Sequence, residues 1–310
     1  MSALFNLVRR NVKMYFKDKG MFFSSLITPL ILLVLYATFL ANVYRESFTD
    51  NLPDGFTVPE KLINGMVGGE LVSSLLAVCC ITVAFCSNLI VGQDKVSGAR
   101  RDLLIAPVKQ STLSLSYYLS TAAATLIVCF TATAVSFIYL AFTGWYLGAA
   151  DVLAVMADVV LLVLFGTALA SIVNNFLSTE GQMTAVGTIV SAGYGFVCGA
   201  YMPISQFGEG LRNGLMFLPG TYGTSLLRNH SLGGTFSEMI EQGFPQEVVE
   251  GIKDSVDCNI YFFGNRVETG VMYAVLAGSI AILIGVYVAI NVIKIRKRRP
   301  SAKKSTQTVG

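Results

Sequence analysis

Six stretches of this chain run for 20 residues or more without a charged side chain: Gly20 to Tyr44, Leu71 to Gln93, Gln110 to Ala150, Val159 to Thr179, Gly181 to Gly208 and Thr269 to Ile293. About 20 such residues, each rising about 1.5 Å, carry a helix across a hydrocarbon core about 30 Å thick. With 54% hydrophobic and only 13% charged residues, the chain lacks the polar surface that a soluble domain of its length needs. The expectation is an all-α membrane protein of six transmembrane helices, over about 20–44, 71–93, 113–143, 152–176, 182–206 and 269–293. The fourth span reaches back to near Val152 and so encloses Asp158. The third run is too long for one span, so Gly144 to Ala150, with Trp145 and Tyr146, reads as an interfacial turn.

Lysine and arginine set the orientation. Arg9, Arg10, Lys13, Lys17 and Lys19 precede the first span, Lys95, Arg100, Arg101 and Lys109 separate the second from the third, and seven more follow the sixth, beginning at Lys294. With six spans these fall on one side, while Arg45 to Glu70 and Glu209 to Glu268 on the other are acid-rich. Both termini are therefore expected in the cytoplasm. The basic tail, 296–310, reads as a neighbour of anionic lipid rather than a nucleic-acid site. No cleavable signal is evident, because a basic segment of 19 residues precedes the first apolar run. Cys79, Cys80, Cys86, Cys129 and Cys198 lie in apolar runs and Cys258 in an outer loop, which argues no disulfide framework.

Two segments carry helical patterns of their own. In residues 1–19, Leu4, Phe5, Val8, Val12, Tyr15 and Phe16 share one arc and Arg9, Arg10, Lys13 and Lys17 the other, the pattern of an amphipathic helix lying along the membrane surface. In the outer region, 207–268, Leu211 to Leu227 is apolar but broken at Pro219 and Gly220, which predicts a re-entrant hairpin. Beyond it, Val248, Val249, Ile252 and Val256 predict a short amphipathic helix. The fifth span has Gly187, Ser191, Gly195 and Gly199 in steps of four, a line of small residues suited to close packing within the chain, at a subunit seam or at a gate.

Catalytic chemistry is sparse. There is one histidine, His230, no G-x-S-x-G elbow and no C-x-x-C pair, and no Gly-Lys dipeptide that a phosphate-cradling P-loop requires. The chain is not expected to be an enzyme or to bind a cofactor or metal. Asp158, inside a span, and Glu70, at the mouth of another, are structural partners or ion-coupling groups.

The stretch Val91 to Ser120, VGQDKVSGARRDLLIAPVKQSTLSLSYYLS, places charges beside a small apolar knob in a short loop, which suits docking on a soluble partner. It resembles the ATP-binding-cassette type-2 permease family, in which an acid-S/G-G-x-R/T-x-x-L-L-x-x-P-V element links the second and third spans. A second likeness is Cys198 to Arg228, CGAYMPISQFGEGLRNGLMFLPGTYGTSLLR, similar to the family's G-x-x-x-P followed by leucine-proline and a final arginine. This chain has Lys95 and Ser97 where many members carry an acid and a Gly-Thr pair, and Ser231 to Glu268 matches no family motif.

The resemblance implies a membrane domain over 20–295 whose coupling helix, about 96–108, seats on an ATPase subunit through Ser97, Gly98, Arg100, Arg101, Leu103, Leu104, Ala106 and Pro107. It implies a second permease copy or a homologous permease, membrane lipid around both, and ATP and Mg held by the partner ATPase subunits. The substrate path or dimer seam is expected at Gly187, Ser191, Tyr194, Gly195, Gly199 and Met202. The expected activity is export of an amphipathic drug, peptide or lipid-linked substrate from a prokaryotic inner membrane. The alternative is an ion-coupled transporter or channel using Asp158 and Glu70.

Overall fold

The computed structural model describes residues 2–35, 41–42, 45 and 58–297. The end of the first expected span and the basic tail from 298 onward lie outside the described residues. The helices are α1 (Ser2–Lys17), α2 (Lys19–Leu35), α3 (Glu60–Ser87), α4 (Ile90–Val96), α5 (Ala99–Ile105), α6 (Gln110–Thr143), α7 (Ala149–Phe176), α8 (Glu180–Val197), α9 (Glu209–Leu215), α10 (Pro219–Glu241), α11 (Gln246–Ser255) and α12 (Thr269–Lys297). A two-stranded hairpin, β1 (Tyr261–Phe262) and β2 (Asn265–Arg266), leads into α12.

Among the described residues, four helices are long and apolar enough to cross a membrane: Glu60–Val96 (α3 with α4), α6, α7 and Thr269–Ile293 of α12. Two of the six expected spans fall short of that measure. The first is the 17-residue α2, whose continuation is not described. The fifth was expected over 182–206, but α8 ends at Val197 and opens on a polar turn, Glu180 to Gln182. That turn has a local cause: Thr179 Oγ1 accepts the Gln182 amide at 3.2 Å while Gln182 Oε1 accepts the Thr179 amide, a capping box that separates α7 from α8. The fourth span begins at Ala149, three residues before Val152, because Asp151 accepts the Gly148 amide and caps the helix there. Between α6 and α7 the chain is non-helical over 144–148, two residues shorter than the turn expected from Gly144 to Ala150.

α3 is the axis of the molecule, and α2, α6, α7, α8 and α10 all pack on it. A helix enclosed on every side must be apolar on every side, and α3 is buried almost without interruption from Gly65 to Phe85. Small residues permit the approach: Gly69 of α3 lies against the Ser231 carbonyl of α10, where an added Cβ would stand 2.8 Å from the oxygen. The acid-rich end carries a smaller core of its own, with Leu62 and Met66 from α3, Leu232, Phe236 and Met239 from α10, and Val249 and Ile252 from α11. Cys258 is buried in this cap, and all six cysteines are free.

The expected break at Pro219 is present, with Pro219 opening α10. The segment after it is not a short piece ending at Leu227 but a helix of 23 residues. The cap explains the extension, since Leu232, Phe236 and Met239 are buried along the far half of α10. On α1 the face turned to the protein is Leu7, Asn11 and Tyr15, at four-residue spacing, while Phe5 and Phe16 of the predicted apolar arc are exposed.

Candidate functional site

The basic segments flanking three parts of the chain converge at one end of the bundle. Arg10 of α1 donates from Nη1 and Nη2 to the buried Asp94 of α4 at 2.6 and 2.8 Å, and Tyr117 of α6 donates to the same carboxylate at 2.6 Å. Lys95 Nζ donates to the Asn174 and Leu177 carbonyls at the end of α7, where a helix leaves carbonyls unpaired. Beneath them Asn88, the C-terminal cap of α3, donates to Thr121 and Ser171 and accepts from Asn174 at 2.9 Å. Gln93 donates to Asp18, which also accepts the Met21 amide as the cap of α2; these two bonds hold the Asp18 carboxyl below the usual aspartate range. α12 closes the end through Ser114, which donates to Asn291, and through Tyr287, which donates to the Ser114 carbonyl.

From this platform the chain turns out through Gly98 (φ +83), a left-handed position that glycine occupies without strain, into α5. The helix is Ala99–Ile105, shorter than the expected 96–108, and none of its residues is buried. Its two sides differ. Leu103, Leu104 and Val108 lie partly buried against the main core, whereas Ser97, Arg101, Asp102, Ile105 and Pro107 are exposed, Ile105 to 83%. Gly98, Arg100 and Ala106 are intermediate. Thus the apolar knob turned outward is Ile105 with Val96, and Leu103 and Leu104 act as its footing.

The six residues expected along the path do not share one environment. Gly187 and Ser191 face a cleft of about 500 Å³ between α2, α3 and α8, which also takes in Thr82, Cys86, Thr184 and Tyr201. Tyr194 turns away from that cleft and donates to the Gly220 carbonyl at 3.2 Å. Gly195 lies under the Tyr201 ring. Gly199 falls beyond the end of α8 with φ +78, so the line of small residues is not one helical face to its end. Met202 is half-buried in the turn that follows.

At the acid-rich end, Arg228 of α10 has no exposed surface. Its Nε stands 2.8 Å from Glu70 Oε1, its Nη1 3.4 Å from Asp257 Oδ2, and its Nη2 donates to the Gly199 carbonyl at 2.6 Å. Asp257 also accepts the Ile204 and Ser205 amides, so one guanidinium ties α3, the turn after α8 and the cap together. Nearby, Asp158 of α7, fully buried, meets His230 Nδ1 at 2.6 Å and accepts from Tyr273 of α12 at 2.8 Å. Both predicted acids are therefore paired within the chain. Asp94 and Asp257 were not singled out from the sequence. The first sits inside the loop stretch that carries the likeness, while no pattern around Asp257 marks it.

A multi-pass helical membrane domain, with a short exposed helix braced on its basic end, is the class these features define. The ABC-2 type transporter family model matches residues 2–230, and the chain belongs to that family. It is thus the transmembrane, permease component of an ABC transporter, of a family that typically pairs with ABC ATPase subunits. A search of curated proteins returns no match.

Proposed function

We propose that the chain is the membrane half of an ATP-driven exporter, working as a dimer of two copies or with a homologous permease. Two ATPase subunits seat on α5 and its flanks, and ATP and Mg belong to those subunits. The cargo is an amphipathic drug, peptide or lipid-linked molecule moved outward across a prokaryotic inner membrane, with both termini in the cytoplasm.

The observation that carries this reading is the position of α5. It projects Arg101, Asp102 and Ile105 into solvent from a platform that binds α1, α4, α6, α7 and α12 through buried and half-buried polar contacts. A push on such a helix reaches several spans together, because its footing is shared among them. The cleft beside Gly187 and Ser191, with its mixture of Thr, Ser and apolar side chains, suits an amphipathic cargo at the seam. An ion-coupled cycle through Glu70 and Asp158 has less support, since each carboxylate already faces a partner at 2.6–2.8 Å.

The reading is tested in proteoliposomes holding the chain and its ATPase partner. Uptake of an amphipathic dye into inverted vesicles should require ATP and stop when the partner's P-loop lysine is replaced. Uptake that follows an imposed proton or sodium gradient without ATP would support the ion-coupled alternative instead.

A further inference from the structure

α8 has two working faces. One, with Gly187 and Ser191, borders the cleft described above. The adjacent face, with Val190, Gly193, Tyr194 and Val197, forms one wall of a second groove of about 500 Å³. Its other walls are Phe165 and Leu169 of α7, Leu218 to Gly220 at the break before α10, and Ile282 and Leu283 of α12.

Almost nothing polar lines it. The Tyr194 hydroxyl is engaged by the Gly220 carbonyl, and Ser279 donates to the Val275 carbonyl at 2.7 Å. Water gains no partners in a space of this kind. A hydrated or charged ligand would lose its solvation there without replacement.

The surroundings identify the occupant. Phe165 and Leu169 lie well inside α7, and Ile282 lies at the middle of the apolar stretch of α12, two of the helices long enough to span. α12 turns much of its surface outward, with Ile282, Val286, Val288, Val292 and Ile293 all exposed. The medium against such a surface is hydrocarbon. We infer that this groove is a lipid site, which takes an acyl chain of a bilayer phospholipid between α7, α8, α12 and the break at Pro219.

An occupied groove keeps α8, α12 and the start of α10 at their spacing, where side chains alone leave a void. It is separate from the cleft proposed for cargo and does not depend on that proposal.

Gly193 makes the test clean, since a Cβ there meets no atom within 4 Å and a large side chain would grow into the groove. Gly285, on α12 with equally open surroundings but outside the groove, is the control. The full chain is purified from membranes, exchanged extensively into detergent and examined by native mass spectrometry. In parallel it is illuminated in nanodiscs containing phosphatidylethanolamine with a diazirine in one acyl chain.

The expected result is about one phospholipid retained per chain, reduced at least tenfold in Gly193→Phe and unchanged in Gly285→Phe. Adducts should map to Val190, Val197 or Ile282 and disappear with Gly193→Phe. An unchanged elution profile and thermal midpoint would show that this variant is folded. Should it misfold, the adduct map of the unsubstituted chain decides alone. Equal lipid retention in both variants, no lipid retained by the unsubstituted chain, or adducts confined to other faces would overturn the assignment. So would a groove labelled only by added cargo.

Discussion

Arg228 shows how much of this molecule rests on single side chains. A fully buried guanidinium between Glu70 and Asp257 leaves two carboxylates without a counter-charge if it is removed, and breaking a buried pair in this way costs about 3–5 kcal/mol. Arg228→Met should therefore lower the thermal midpoint sharply in detergent. The triple variant with Glu70→Gln and Asp257→Asn should recover much of the loss, because no buried charge then remains. Arg228→Lys should not, since an ammonium lacks the planar fork that reaches Glu70, Asp257 and the Gly199 carbonyl together. The Asp94 carboxylate, shared by Arg10 and Tyr117, gives a parallel expectation at the other end. In Asp94→Asn, α1 should become more accessible to protease while the acid-rich cap stays protected. The sequence drew attention to Arg228 only as the last residue of a family-like motif. Its partners come from α3 and from a cap some 30 residues later, and no local pattern reports a meeting of that kind.

Elements were more legible than partners. Charge-free runs located α3, α6, α7 and α12, and the helical spacing of Val248, Val249, Ile252 and Val256 located α11. Where the reading differed, particular contacts decided the outcome: the polar Thr179–Gln182 box set the start of α8, and the apolar core of the cap drew α10 out to Glu241. On α1 and α5 the sequence pattern left the faces undivided for a common reason. Helical periodicity separates apolar from charged positions, but it does not say which apolar residues meet protein and which meet lipid or a partner. For α5 this yields a contrast. Leu104→Ala should act on stability, by about 1–2 kcal/mol, because the side chain packs on the core. Ile105→Ala should leave the thermal midpoint unchanged and act on partner binding. Gly98→Ala should cost about 1 kcal/mol through its left-handed backbone, with no steric clash to add to it. In the cap, Glu250 accepts from Lys253 and Asn259 and faces Arg266, contacts that hold its carboxyl below the ordinary value of 4.5. A depressed pKa contributes stability above the unfolded value that is lost as pH falls through the folded one. Amide exchange over 246–266 should accordingly rise on acidification below about pH 4.5 and rise less in Glu250→Gln.

At the scale of the molecule, α3 joins two polar clusters, Glu70 with Arg228 toward one end and Asn88 with Asp94 just beyond the other, through a buried, mainly apolar middle. Movement imposed at one end has a stiff path to the other, and α5 is the exposed helix through which an ATPase subunit is proposed to impose it. The most direct measurement is recovery of the ATPase subunit with the tagged chain from native membranes, compared among the unsubstituted chain, Arg101→Glu/Ile105→Ala and Leu104→Ala. The account predicts stoichiometric recovery of a P-loop ATPase with the unsubstituted chain. It predicts loss of at least tenfold in the double variant at an unchanged thermal midpoint, and retained binding in whatever fraction of Leu104→Ala remains folded. A folded double variant that brings down as much ATPase as the unsubstituted chain would contradict docking through α5.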